Sequence, residues 1–210
     1  MTTICLQSEY LAPVAHYILA FHAEKILIET QEHYVKQSFR NRCEIASANG
    51  IMPLTIPIEK ASVRKPCMKD MRISDHGNWR HLHWNAIRSS YNSSAFFEYY
   101  QDDFRPLYEK RYEFLLDFNE AMREVIFQSL ELDKVIEYTS DYQKELNPSI
   151  MDLRPFAEPQ KEIELKTKVH LETYYQVFQN KFGFQSDLSI IDLLFNMGPE
   201  AQLILKNSSK

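Results

Sequence analysis

Only four glycines occur in the 210 residues, and none falls in a GxGxxG or GxxxxGK[ST] pattern. The two commonest glycine-built phosphate cradles are therefore absent. The three cysteines, Cys5, Cys43 and Cys67, are odd in number and have no CxxC spacing. Neither a disulfide framework nor a structural zinc site is expected from them. No HExxH or comparable ligand set appears, and no metal or other cofactor is called for. No apolar run approaches the roughly 20 residues that span a bilayer. The N-terminal MTTICLQSEYLAPV lacks the basic start and long apolar core of a secretory signal. Basic charge is short too: 24 Lys and Arg against 29 Asp and Glu give a formal charge of -5, where a general nucleic-acid binder would be basic. The expected protein is cytoplasmic, with reduced thiols, no membrane span and no nucleic-acid partner. Any basic site must be local, held against an acidic background.

What is present is core. Hydrophobic residues make up 44% and aromatics 13%, ample for one domain of this length. TICLQ at 3–7 reads as a buried strand, APVAHYILAFH as a helix led by Pro13, and KILIET as a second strand. HYVKQSFRNRCEI reads as a ribbon with Lys36, Ser38, Arg40, Arg42 and Glu44 on one face, because the pleat alternates side chains. SANG gives a turn ending in Gly50. IMPLTIPIEK is the next strand, kept at an edge or bulge by Pro53 and Pro57, and KDMRIS is a further one. From DHGNWRHLHWNAIRSSY the character is helical. Arg105 to Leu132 reads as a single long helix with a stripe of Tyr108, Tyr112, Leu115, Met122 and Ile126. DKVIEYTSDY returns as a strand, ELNPSIMDLRPFAEPQ as a proline-bearing loop, and IELKTKVHLETYYQVFQNKF as a mixed strand or helix stretch. SIIDLLFNMG is an apolar segment stopped by Gly198. The expectation is a single α/β or α+β domain over residues 1–205, with a mixed sheet mainly from the N-terminal half and helices packed over it. It is strand-rich over 1–75 and helix-rich over 76–205, with a frayed tail at 206–210.

Two stretches carry candidate chemistry. On the ribbon, Arg40 and Arg42 point the same way, and with Lys36 they form an anion pocket for phosphate or carboxylate. Asn41 faces the opposite side. The competing structural reading pairs these cations with Glu29, Glu32 or Glu44. On the helix, Trp79, His83, Ile87 and Tyr91 share one face, and Arg80, Trp84 and Arg88 form the neighbouring stripe. His83 is either a satisfied core imidazole or a proton carrier at a pocket wall. His81 and His83 are an i, i+2 pair and do not converge on a metal. Asp192 is either a first-turn acid favoured by the helix dipole or a partner for an arginine. A thiolate pair of Cys5 or Cys43 with His83 has no local support.

The spaced blocks together resemble the WbqC-like family over the whole chain. They are Gln7, Tyr10, Leu11 and Tyr17; then FRNRCEI with Phe39, Asn41, Arg42 and Ile45; then Gly50, Leu54, Thr55, Pro57 and Ile58. Two more follow: Trp79, His83, Ile87, Tyr91 and Phe96; and Leu188, Ser189, Asp192, Leu194 and Gly198. One departure stands out. The family pattern YLPWxGYF is replaced by YLAPVAHYI, with Pro13 displaced and neither tryptophan nor glycine present. The resemblance implies a bacterial protein of surface-polysaccharide (O-antigen type) biosynthesis acting on a small sugar nucleotide or glycan precursor. On that reading the chain transfers an acyl or aminoacyl group to it. His83 is the base and Asp192 its orienting acid, and Lys36, Arg40, Asn41, Arg42, Trp79, Tyr91, Gln7 and Tyr10 hold the substrate. The alternative is a non-catalytic module that binds the sugar nucleotide or a pathway partner.

Overall fold

The computed structural model describes residues 2–60, 63–158, 165, 169–186 and 188–208. Strands β1 (Thr3–Gln7) and β2 (Lys25–Glu29) run parallel, joined by helix α1 (Val14–His22). A parallel pair needs such a crossover, since a tight turn can only reverse the chain. Val14 to Ala20 are all buried, because α1 also packs against the two C-terminal helices, α6 (Ile190–Met197) and α7 (Ala201–Asn207). Strands β5 (Val135–Tyr138) and β6 (Ile150–Asp152) complete a four-stranded parallel sheet of order β5-β2-β1-β6. A separate antiparallel hairpin joins β3 (Arg42–Ser47) to β4 (Gly50–Thr55), with Gly50 at φ 106° closing its turn. Pro53 lies opposite Glu44. A two-stranded ribbon has only edges, so the missing donor is tolerated there.

Helices α2 (Trp79–Tyr91), α3 (Phe97–Glu109) and α4 (Leu115–Ser129) form the second layer. A short helix, α5 (Gln179–Phe182), precedes α6. One buried apolar cluster runs from Ile4 to Leu205 through every layer, so the α/β fold is a single domain. Among the described residues no helix is long and apolar enough to cross a membrane.

Five segments differ from the sequence expectation. The ribbon begins only at Arg42. Residues 39–41 form a turn, with the Asn41 amide bonding the Ser38 carbonyl, so Arg40 and Arg42 do not share a face. The long helix is two helices, separated at residues 110–114. The apolar stripe passes from Tyr108 on α3 to Leu115, Met122 and Ile126 on α4, because both helices bury against the same core. KDMRIS forms a 3-10 turn at Met68–Asp70 and isolated bridges instead of a strand. The loop around Pro148 and Pro155 contains β6, three residues long and too short to show a period. Lys206 and Asn207 are helical, while Ser209, Lys210 and residues 163, 164 and 166–168 of the mixed stretch at 163–182 lie outside the described residues; from 171 to 178 that stretch is irregular, and it turns helical at Gln179–Phe182.

Candidate functional site

Parallel sheets usually take ligands beyond the carboxyl ends of their strands. Here that position is filled by a buried ionic network. Arg40 donates from Nε and Nη2 to both oxygens of Glu32, at 2.7 and 2.9 Å, and Gln7 Nε2 donates to the same carboxylate at 2.7 Å. Glu29, fully buried, accepts from Arg154 Nη1 at 3.0 Å and from the Thr139 hydroxyl at 2.7 Å, while Arg154 also clasps Asp152. Burial holds the Glu32 carboxyl above its usual range, although Arg40 and Gln7 pull it down. Beside the network, His16 Nδ1 meets Glu9 at 2.7 Å in a cleft of about 30 Å³. That is room for a water and too little for a sugar.

The expected anion pocket is divided among three places. Arg40 is neutralised inside, 1% exposed. Arg42, half-buried, turns to Glu44 at 2.7 Å. Asn41 is buried, donating to the Ile56 carbonyl and accepting from the Tyr34 hydroxyl. Lys36 lines a different hollow, of about 600 Å³, with Tyr34, Lys60 and Arg64. The pairing of Arg40 with Glu32 and Arg42 with Glu44 is the one that the competing structural reading named.

His83 faces the core between Tyr10 and Trp79. Its Nδ1 lies 3.0 Å from the Tyr10 hydroxyl, which lies 2.7 Å from the Tyr108 hydroxyl, and the ring also bonds the Thr55 backbone. Burial pushes its pKa down to about 4. The imidazole is thus neutral near pH 7, with its polar atoms engaged inside the core. The buried thiols are also unsuited to attack, since burial raises Cys43 well above its usual value and Cys5 to about 12.

Asp192 does not meet His83. It sits under Tyr91, two turns further along α2, about 12 Å by the helix rise. Ser189 caps α6 there, and Asp192 accepts from Tyr174 at 2.9 Å and Gln176 at 2.8 Å, with the Tyr91 hydroxyl adding to them. Burial outweighs these donors and raises the carboxyl from 3.8 to about 6. A raised carboxyl stabilises the fold fully below its unfolded pKa and loses that contribution as pH climbs through about 6. The loss amounts to about 3 kcal/mol. Denaturant unfolding of wild type and Asp192→Asn at pH 4 and pH 7 should therefore shift the difference by most of that amount against the wild type. A flat difference would show that Asp192 ionises as freely in the folded chain as in the unfolded one.

A groove of about 480 Å³ opens between α2 and α3. Arg80, Trp84 and Arg88 recur every fourth residue on α2 and so share a face. Gln101, Arg105 and Glu109 do the same on α3. These six residues, with His81, Asn85 and Arg111, line the groove. Four arginines stand against one lining carboxylate, Glu109, which pairs with Arg105 at 2.7 Å. Asp75 holds Arg80 at 2.6 Å and Arg111 at 3.4 Å. Arg88 forms no ion pair among the described residues. His81 is exposed, with its Nε2 2.7 Å from the Asn85 amide. Two residues are about 200° of helical turn, which is why His83 points inward while His81 reaches the groove. The neighbouring arginine–tryptophan stripe was visible in the sequence. Its partner stripe on α3 was hidden by reading α3 and α4 as one helix.

These features define an α/β protein with a ligand-sized basic opening on its helical layer. The WbqC-like protein family profile matches residues 7–175, and the chain belongs to that family. It is similar to Uncharacterized protein Rv1507c of Mycobacterium tuberculosis, 24% identical over an aligned length of 217, covering 93% of this chain and 94% of the relative. No solved structure matches.

Proposed function

We propose that the chain is a cytoplasmic transferase of O-antigen-type surface-polysaccharide biosynthesis. It places an acyl or aminoacyl group on a sugar or glycan precursor carried on a diphosphate. The observation that carries this reading is the α2–α3 groove, where guanidinium groups from both helices surround an exposed imidazole. Guanidinium forks match phosphate oxygens two at a time. They would fix the carrier while His81 serves the acceptor. In the step, His81 takes a proton from the acceptor amine or hydroxyl, displacing the Asn85 amide, as that atom attacks the acyl carbonyl of a thioester donor. The new carbon–nitrogen or carbon–oxygen bond forms, the carbon–sulfur bond breaks, and the imidazolium returns its proton to the departing thiolate. Proton transfer thus passes from His83 to its neighbour, and Asp192 keeps a structural part.

The test is a mass-spectrometric transfer assay with acetyl-coenzyme A or a glycyl thioester as donor and amino-sugar nucleotides as acceptors. The acceptor should gain the mass of the acyl group. Acceptors that bind but never gain mass would instead mark a non-catalytic binding module.

A further inference from the structure

We infer that the carrier held in the α2–α3 groove is a nucleoside diphosphate, its base against Trp84 and its diphosphate held by Arg88 from α2 and Arg105 from α3. The inference rests on the transferase reading for its purpose, and on the groove alone for its geometry. A diphosphate linked to a lipid would need an apolar track for the chain beside the cations. The groove has none. Its rings are Trp84 and Tyr108, and the rest of the lining is arginine, histidine, amide and one carboxylate. Tyr108 is buried with its hydroxyl turned to Tyr10, which leaves the half-buried Trp84 as the stacking surface. The inner side of Trp84 leans on Phe97 and Tyr108, at 6.0 and 5.8 Å between ring centres, so the indole is braced. Asn78 and Gln101 place amides on the same lining, and an amide offers both the donor and the acceptor that a base edge requires.

The cations divide by commitment. Arg80 is fixed by Asp75 and stacks 5.0 Å from the Trp79 ring, so it shapes the wall. Arg88 is unpaired among the described residues. Arg105 meets Glu109 only through Nε, with both side chains more than half exposed, a weak hold that a phosphate can replace. Two available guanidinium groups on facing helices suit two linked phosphates. They lie on a chain whose formal charge is -5, so the local excess is a property of this groove.

The experiment is titration calorimetry of the full chain without any acyl donor, using UDP, inorganic pyrophosphate and farnesyl diphosphate. UDP should bind about tenfold or more tightly than pyrophosphate, the margin expected of one stacked base, and farnesyl diphosphate no tighter than pyrophosphate. Trp84→Leu should bring UDP down to the level of pyrophosphate while pyrophosphate affinity persists, which shows that the groove is still formed. Arg88→Glu with Arg105→Glu should weaken both by about 10- to 100-fold, and Arg72→Glu, away from the groove, should change neither. Equal affinity for UDP and pyrophosphate, a preference for farnesyl diphosphate, or UDP binding that survives the paired arginine change would each overturn the inference. Absence of saturable binding by all three would do so too. A failed transfer assay leaves these affinities standing. A lost UDP preference leaves the transferase with a different diphosphate carrier.

Discussion

Arg40→Ala should lower the unfolding free energy by about 3–5 kcal/mol, the loss expected when one member of a buried ion pair is removed and the other stays. Glu32 would remain almost sealed from water with only Gln7 donating to it. Its carboxyl already lies above the usual range with Arg40 in place. Without the guanidinium it must either stay charged at great cost or bind a proton at neutral pH. Changing both partners, as in Glu32→Gln with Arg40→Met, should recover most of the loss, because the pair then leaves together and residue 32 still accepts from Gln7. Arg42→Met is the contrast: its pair with Glu44 is half-exposed, and such pairs are worth about 0–1 kcal/mol. Urea unfolding of the three variants decides the matter. Equal effects at positions 40 and 42 would mean that the buried network beyond the strand ends holds the fold no more firmly than an exposed pair does. A change in UDP affinity on removing Arg40, with stability intact, would return that arginine to a ligand.

His81→Ala carries the largest expected effect on turnover, a fall of about 10²–10⁴-fold, the usual contribution of a positioned proton carrier. Because His81 is exposed and its described hydrogen bond runs to Asn85 on the same helix, the fold should be unaffected and UDP should bind as before. His83→Ala should behave in the opposite way. It cuts a buried chain of Tyr108, Tyr10 and His83 and should lower stability first. Unchanged turnover in a folded His81→Ala chain would remove the imidazole from the chemistry, whatever the groove binds.

The sequence was most readable where a single period lasted. TICLQ, APVAHYILAFH and KILIET became β1, α1 and β2 almost residue for residue, because strand and helix periods differ and Pro13 marks where the helix begins. The ribbon failed for a local reason. Arg40 sits in a turn at residues 39–41 that precedes the strand, and a two-residue period cannot reveal a change of backbone region. The surroundings of the site residues were hidden for a related reason. The Trp79-bearing helix was correctly located, as was its neighbouring basic stripe, but the choice between His81 and His83 depends on which side faces the core. That is set by packing against Tyr10 and Phe118, residues remote in sequence. Asp192 read equally well as a first-turn acid or as a site residue, and only the surrounding Tyr174 and Gln176 assign it to the interior.

The central position of β1 bears on how the chain comes into being. On one side β1 pairs with β2, made moments later; on the other it waits for Ile150–Asp152. During synthesis at about 5–20 residues per second, that second edge stays open for several seconds while α2, α3 and α4 leave the ribosome. An unsatisfied apolar edge is a template for pairing with another nascent copy. Chaperone demand should thus be concentrated in this interval, and chains stopped before residue 150 should be aggregation-prone even though most of their helices are complete.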